Sequence, residues 1–177
     1  MAVDEFLQWA TGREGRWELI DGVPVAMDPE RVVHGLTIHR AVNAFERAVV
    51  AAGVRCHALP DSVVVRIDAN TTFQPDALIY CGEPADDDAL TIDAPTVVVE
   101  VLSPSSAAHV CRDKLVGYFR VPSIHHYLIV DPDRRIVIHH RRGSGDAIEA
   151  RIVAEGVLSL APPGLDLPVA DLFALSV

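Results

Sequence analysis

Nowhere does this chain carry an apolar run approaching the roughly 20 residues of a membrane-spanning helix. Its first residues, Met1-Ala2-Val3-Asp4-Glu5, supply neither the basic region nor the apolar core of a secretory leader. A soluble, cytoplasmic protein with no membrane partner is the expectation. Cysteine is scarce: Cys56, Cys81 and Cys111 are widely spaced and form no C-x-x-C pair, so neither a disulfide framework nor a thiolate zinc site is indicated. They are expected to be reduced packing residues. Basic residues are in deficit, 15 against 25 acids, for a formal charge of −10. A protein that grips a nucleic-acid backbone usually presents a basic face, because phosphate neutralisation supplies much of the affinity. The overall balance therefore counts against tight DNA binding. Arg134-Arg135 and His139-His140-Arg141-Arg142 still cluster late in the chain, apart from Asp86-Asp87-Asp88, so a local positive groove remains open.

Histidine is more plentiful, eight in all, and invites a zinc reading. His125-His126 and His139-His140 are neighbours on predicted strands, where successive side chains face opposite ways. His34 and His39 are five apart on a predicted helix, and no H-x-x-x-H pair occurs. Zinc is not expected.

With 177 residues, half of them apolar, the chain suits one well-packed domain spanning 1–177. Asp4 to Trp9 reads as a short helix. Trp17 to Met27 reads as a hairpin turning at Asp21-Gly22, a strong two-residue turn signal. Val32, Leu36, Ile38, Val42, Phe45, Val49 and Val50 recur at helical intervals from Arg31 to Ala52, with Gly53 placed to stop the helix. Strands are predicted near Val54 to Ala58, Ser62 to Ile67, Pro75 to Tyr80 and Thr96 to Leu102. A further helix starts after Ser105 or Ser106 and runs through Lys114 to about Phe119, weakened by Gly117. His126 to Val130 and Arg135 to His139 flank the turn Asp131-Pro132-Asp133, and a short helix from Val169 to Leu175 closes the chain. The expected fold class is mixed α/β (α+β), a central mixed sheet flanked by helices.

One feature of that sheet carries chemistry. Thr96-Val97-Val98-Val99-Glu100-Val101-Leu102 sets a carboxylate within a β-branched run that reads as a strand buried on both faces. A lone ionised acid there costs several kcal/mol, roughly, unless a cation or donors meet it. Gln74-Pro75-Asp76-Ala77-Leu78-Ile79-Tyr80 repeats the pattern, with Asp76 at the start of the strand. Two strands each delivering an acid predict a shared cation.

Trp17-Glu18-Leu19-Ile20-Asp21-Gly22, His34, Pro75-Asp76, Glu100 to Ser105, Lys114 with Tyr118, and His126 to Pro132, in that order, resemble the Uma-two family of restriction-endonuclease-like proteins within the PD-(D/E)XK nuclease superfamily. The resemblance implies a restriction-endonuclease-like core and a metal-dependent DNA endonuclease, with DNA as partner. It assigns a divalent ion to Asp76, Glu100 and the Val101 carbonyl. Oxygen donors of this kind suit Mg²⁺ or Mn²⁺, which can lower the pKa of a bound water and draw charge from a phosphate. The superfamily's usual lysine position, two after Glu100, holds Leu102, and the resemblance transfers that role to Lys114. Glu18 corresponds to an upstream acid; from the residues alone it equally suits pairing with Arg13, Arg16 or Arg40. His34 and Tyr118 are candidate substrate contacts. One departure is Val110, where the family pattern has an Asp one helical turn before the lysine. The alternative reading is an inactive endonuclease-like fold serving as a binding or regulatory module. Cutting both strands of a duplex with one site per chain implies a homodimer.

Overall fold

The computed structural model describes residues 1–103 and 113–173. Helix α1 (Val3–Ala10) leads into the hairpin of β1 (Trp17–Ile20) and β2 (Val23–Ala26), where Ile20 pairs with Val23. Asp21 and Gly22 turn the hairpin with φ of 49° and 80°, the left-handed pair that an Asp-Gly turn accommodates. Helix α2 (Val32–Ala52) follows the predicted periodicity and ends at Gly53, whose φ of 66° lets its N–H reach the Val49 and Val50 carbonyls. Strand β3 (Cys56–Pro60) comes next. The strand expected over Ser62 to Ile67 pairs at β4 (Val65–Arg66) and in a single bridge from Val64 to Thr91, because the chain reverses and returns as β5 (Thr72–Phe73). The Ile67 amide closes that reversal on the Thr71 carbonyl at 3.0 Å. Then come β6 (Ala77–Cys81), β7 (Pro95–Val101), helix α3 (Leu115–Arg120), β8 (His126–Asp131) and β9 (Ile136–Arg142). Strands β10 (Ile148–Val153), β11 (Val157–Leu160) and β12 (Leu165–Pro168) have no counterpart in the sequence reading, and a 3-10 turn at Val169–Leu172 replaces the start of the expected last helix. Ser105, Ser106, Val110, Cys111 and Leu175, on which other expectations fell, lie outside the described residues.

The main sheet runs β10-β9-β8-β7-β6-β3, with β7 and β8 parallel and the other neighbours antiparallel. It is a mixed sheet, as expected. The alternation of β7 sorts its side chains between two cores. Val97, Val99 and Val101 pack with Ile38, Ala41, Phe45 and Leu167 on the face covered by α2 and β12. Val98 faces the other way, into a cluster with Phe73, Tyr118 and Tyr127 beneath α3 and the small sheet β2-β1-β5-β4. Glu100, two residues on from Val98, shares that second face.

The expectation for the cysteines is corrected at two positions. Cys56 stands opposite Cys81 in the β3–β6 ladder, with Cα atoms 3.9 Å apart, and the two form a disulfide. A separation of 25 residues carries no information on register; antiparallel pairing brought these two face to face.

Candidate active site

The ladder between β6 and β7 puts the two acids side by side. The Asp76 amide donates to the Val99 carbonyl at 3.0 Å, and Asp76 Oδ2 accepts from the Val101 amide at 2.7 Å. Pro75 has no N–H to offer a ladder, which suits it to the residue just before the strand. Glu100 Oε1 accepts from Lys114 Nζ at 2.9 Å and from the Tyr118 hydroxyl at 2.6 Å. Lys114 Nζ also lies 2.8 Å from Glu18 Oε1, which accepts the Gln74 amide at 2.8 Å. One ammonium thus joins an acid of the hairpin sheet to an acid of the main sheet. Glu18 thus stands beside Lys114 and Glu100, and among the described residues none of Arg13, Arg16 and Arg40 pairs with it.

Helix α3 is held for this task. Arg142 of β9 donates from Nη2 to the Phe119 and Val121 carbonyls at 3.0 and 2.9 Å, and from Nε to Ile124 at 2.9 Å, tying down its C-terminal end. Tyr118, one turn beyond Lys114, is wedged between the rings of Phe73 and Tyr127 at 5.2 and 5.1 Å. A Cβ on Gly117 would land on the Phe73 ring, so the glycine that weakens the helix also permits this close approach.

Asp76 Oδ1 faces two further basic side chains. His34 Nε2 of α2 lies 3.1 Å away, with His34 Nδ1 turned to Glu30 Oε2 one helical turn back at 3.7 Å. Arg16, just ahead of β1, places Nη2 3.7 Å from the same oxygen and Nη1 3.1 Å from Asp61 Oδ2. Asp61 and Glu30 were not singled out from the sequence, and Arg16 was considered only as a partner for Glu18. For Arg16 a signal existed: it stands two residues before Glu18, the spacing that shares a face in extended chain. For Lys114 another existed, since it is the only lysine in the chain.

A family model described as "Putative restriction endonuclease", Uma2, matches residues 3–170. The chain belongs to the Uma2 family. A Synechocystis protein named "Uncharacterized protein slr1290" is 26% identical over 171 residues, covering 96% of this chain and 89% of its own length. A crystal structure described as a putative nuclease belonging to DUF820, from Anabaena variabilis ATCC 29413, superposes with a TM-score of 0.74 at 21% identity, covering 98% of this chain and 97% of that one. That likeness establishes the fold.

Within this Uma2 fold the ionisation of the cluster follows from burial. Burial pushes the Glu100 carboxyl up, to about 7, with help from Asp76 and Glu18 and against the pull of Lys114 and Tyr118. For Lys114 burial acts downward, but Glu100 and Glu18 outweigh it and hold the ammonium charged. The Tyr118 phenol is raised by burial and by Glu100, so it stays a donor. At His34 burial is opposed by the Asp76 hydrogen bond, and the imidazole is raised from its usual value. Among the described residues no three His, Cys, Asp or Glu side chains converge closely enough to hold a metal ion. An ion here would therefore draw on fewer protein side chains and on water. Donor chemistry nevertheless fits a hard cation: the acids beside β7 offer only oxygen, and burial with the neighbouring acids raises the Glu100 carboxyl further than Lys114 and Tyr118 lower it. Among the described residues no helix is long and apolar enough to cross a membrane.

Proposed function

We propose that this Uma2 chain is a Mg²⁺- or Mn²⁺-dependent nuclease that hydrolyses phosphodiester bonds of DNA. The observation that carries this reading is the buried junction of Glu18, Lys114, Glu100 and Tyr118 beside Asp76, assembled from four separate parts of the chain. Asp76, Glu100 and the Val101 carbonyl would hold the ion, as in the PD-(D/E)XK pattern. When bound, it supplies positive charge to the phosphate and acidity to a water. The protein's own groups then have distinct tasks. Tyr118 and Lys114 both grip Glu100 Oε1 and fix the rotation of that carboxylate. The Val101 amide does the same for Asp76 through Oδ2. Lys114, charged and holding Glu18 and Glu100, would use its remaining N–H to orient the attacking water and its charge to offset that developing on the phosphate. It fills the role that Leu102 leaves empty. His34 is the substrate-side candidate; Tyr118, expected beside it, is fully buried with its hydroxyl on Glu100 and holds that carboxylate instead. Two such sites related by a two-fold axis would cut both strands, so the reading includes a homodimer.

A second reading, a silent binding or regulatory module, is favoured by one observation: the Lys114 ammonium already pairs with both Glu18 and Glu100, on the side where an ion would sit. Nicking of supercoiled plasmid with Mg²⁺ or Mn²⁺, run beside Glu100→Gln, separates the two. The nuclease reading expects nicking by the parent and a loss of about 10²–10³ in the variant, the range for one well-placed electrostatic group. No ion-dependent nicking by the parent, or equal nicking by both proteins, would overturn it.

A further inference from the structure

Strand β10 closes one edge of the main sheet and is exposed along nearly its whole length, pairing among the described residues with β9 alone. The other edges of the two larger sheets are blunted: β2 carries Pro24, β4 is two residues long and β3 ends on Pro60. Strand β10, Ile148-Glu149-Ala150-Arg151-Ile152-Val153, has neither proline nor glycine. Its outward backbone groups follow from the ladder beside it. The Arg142 amide donates to the His125 carbonyl at 2.9 Å on the β8 side of β9, whereas the Gly143 amide donates to the Ala147 carbonyl at 2.9 Å on the β10 side. Hydrogen-bonded pairs alternate along an antiparallel ladder. Glu149, Arg151 and Val153 therefore turn their amides and carbonyls to β9, and Ile148, Ala150 and Ile152 turn theirs away from the sheet. The same alternation sorts the side chains. Ile148, Ala150 and Ile152 stand on the face of Ile138, toward α3, with Ile148 39% and Ile152 70% exposed, while Glu149 and Arg151 stand on the other face.

We propose that β10 is a homodimer interface, pairing antiparallel with β10 of a second copy of this chain about a two-fold axis at Ala150. In that register Ala150 faces its own copy, Ile148 faces Ile152 and Glu149 faces Arg151, so the strand is complementary to itself. Ile148, Ala150 and Ile152 are the residues with outward backbone groups, and each of their pairs exchanges two hydrogen bonds. Two isoleucine pairs are covered on one face. On the other, Glu149 and Arg151 form the close, non-hydrogen-bonded pairs, where side chains approach most nearly and opposite charges stabilise. The charges also choose the register. Moving the axis one residue back sets Glu149 against its own copy, and one residue on sets Arg151 against its own, each a like-charge pair. The interface gives the homodimer of the nuclease reading a surface, yet it stands on the strand and not on turnover.

Sedimentation equilibrium of the full chain tests it, from about 1 to 300 µM because a single strand pair is a small interface and associates weakly. The parent should be in monomer–dimer equilibrium. Ala150→Pro, whose missing N–H faces away from β9 and so costs the fold no ladder bond, should weaken association at least about tenfold while far-ultraviolet circular dichroism stays parental. Glu149→Arg sets guanidiniums opposite each other across the axis, and Arg151→Glu sets carboxylates so, and each variant alone should also lose at least about tenfold. An equimolar mixture of these two variants should dimerise again, because every charged pair across the axis then joins opposite signs. A general loss of stability in either variant would not give that recovery. A parent that stays monomeric throughout, variants that associate like the parent, or a mixture that remains monomeric would overturn the interface. A monomeric parent that nicks plasmid would reject the interface and keep the nuclease; a dimer with these responses that does not nick would keep the interface and reject the nuclease.

Discussion

Replacing Lys114 by Met keeps most of the side chain's volume and removes its charge, leaving Glu18 and Glu100 facing one another without a shared counter-ion. The three side chains are only 11%, 8% and 5% exposed, so solvent screens little of the loss. Removing one partner of a buried pair costs about 3–5 kcal/mol, because the remaining charge stays buried. Against a total stability of roughly 5–15 kcal/mol that is a large fraction. At about 2–4 °C per kcal/mol for a chain of this size, the melting temperature should fall by about 6–20 °C. Thermal unfolding by circular dichroism reads it directly. Two further measurements separate charge from packing. Adding Glu100→Gln to Lys114→Met should return much of the loss, a coupling that two independent packing defects would not show. Millimolar Mn²⁺ should raise the melting temperature of Lys114→Met more than that of the parent, since two uncompensated acids bind a cation better than two compensated ones. A Lys114→Met protein that melts with the parent, or whose loss simply adds to that of Glu100→Gln, would show that the ammonium does not hold the two sheets together.

The buried pair His126 and His139, with Nδ1 and Nε2 2.9 Å apart, should make the fold acid-sensitive. Burial lowers His126 to about 4 and His139 to about 3, so both are neutral in the fold while the unfolded chain takes up protons below about 6.5. Stability should therefore decline as pH falls from about 6.5 to 5, by about 1.4 kcal/mol per pH unit for each histidine that is protonated only on unfolding. His126→Gln and His139→Gln should each flatten that slope in denaturant titrations, and a parent with no slope in this window would refute the account. Gly117→Ala sets a modest gain in helix propensity, about 1 kcal/mol, against overpacking on Phe73 of about 1–3 kcal/mol. The clash should win, lowering the melting temperature and, because Phe73 packs on Tyr118, loosening the grip on Glu100; a more stable variant would show that the ring yields freely.

Local pattern alone determined much of this protein. The unbroken β-branched run from Thr96 to Leu102 marked a strand buried on both faces and exposed the oddity of Glu100. The helical spacing from Arg31 to Ala52 and the stop at Gly53 were equally legible, as was the Asp21-Gly22 turn. These features depend on contacts a few residues apart, which side-chain type encodes directly. Tertiary structure decided what register and packing decide. The Ser62-to-Ile67 run looked like one strand, yet the chain folds back after two paired residues. Cys56 met Cys81 because β3 aligned with β6 at that register and no other. His126 and His139, dismissed as neighbours of other histidines, touch each other across adjacent strands. Glu18, Lys114 and Glu100 share one proton-bearing centre only because α3 bridges two sheets, and Arg16 and His34 reach Asp76 from a loop and a helix distant in sequence. A side chain's identity states what it can bind; the long-range ladders of the sheet choose the partner it finds.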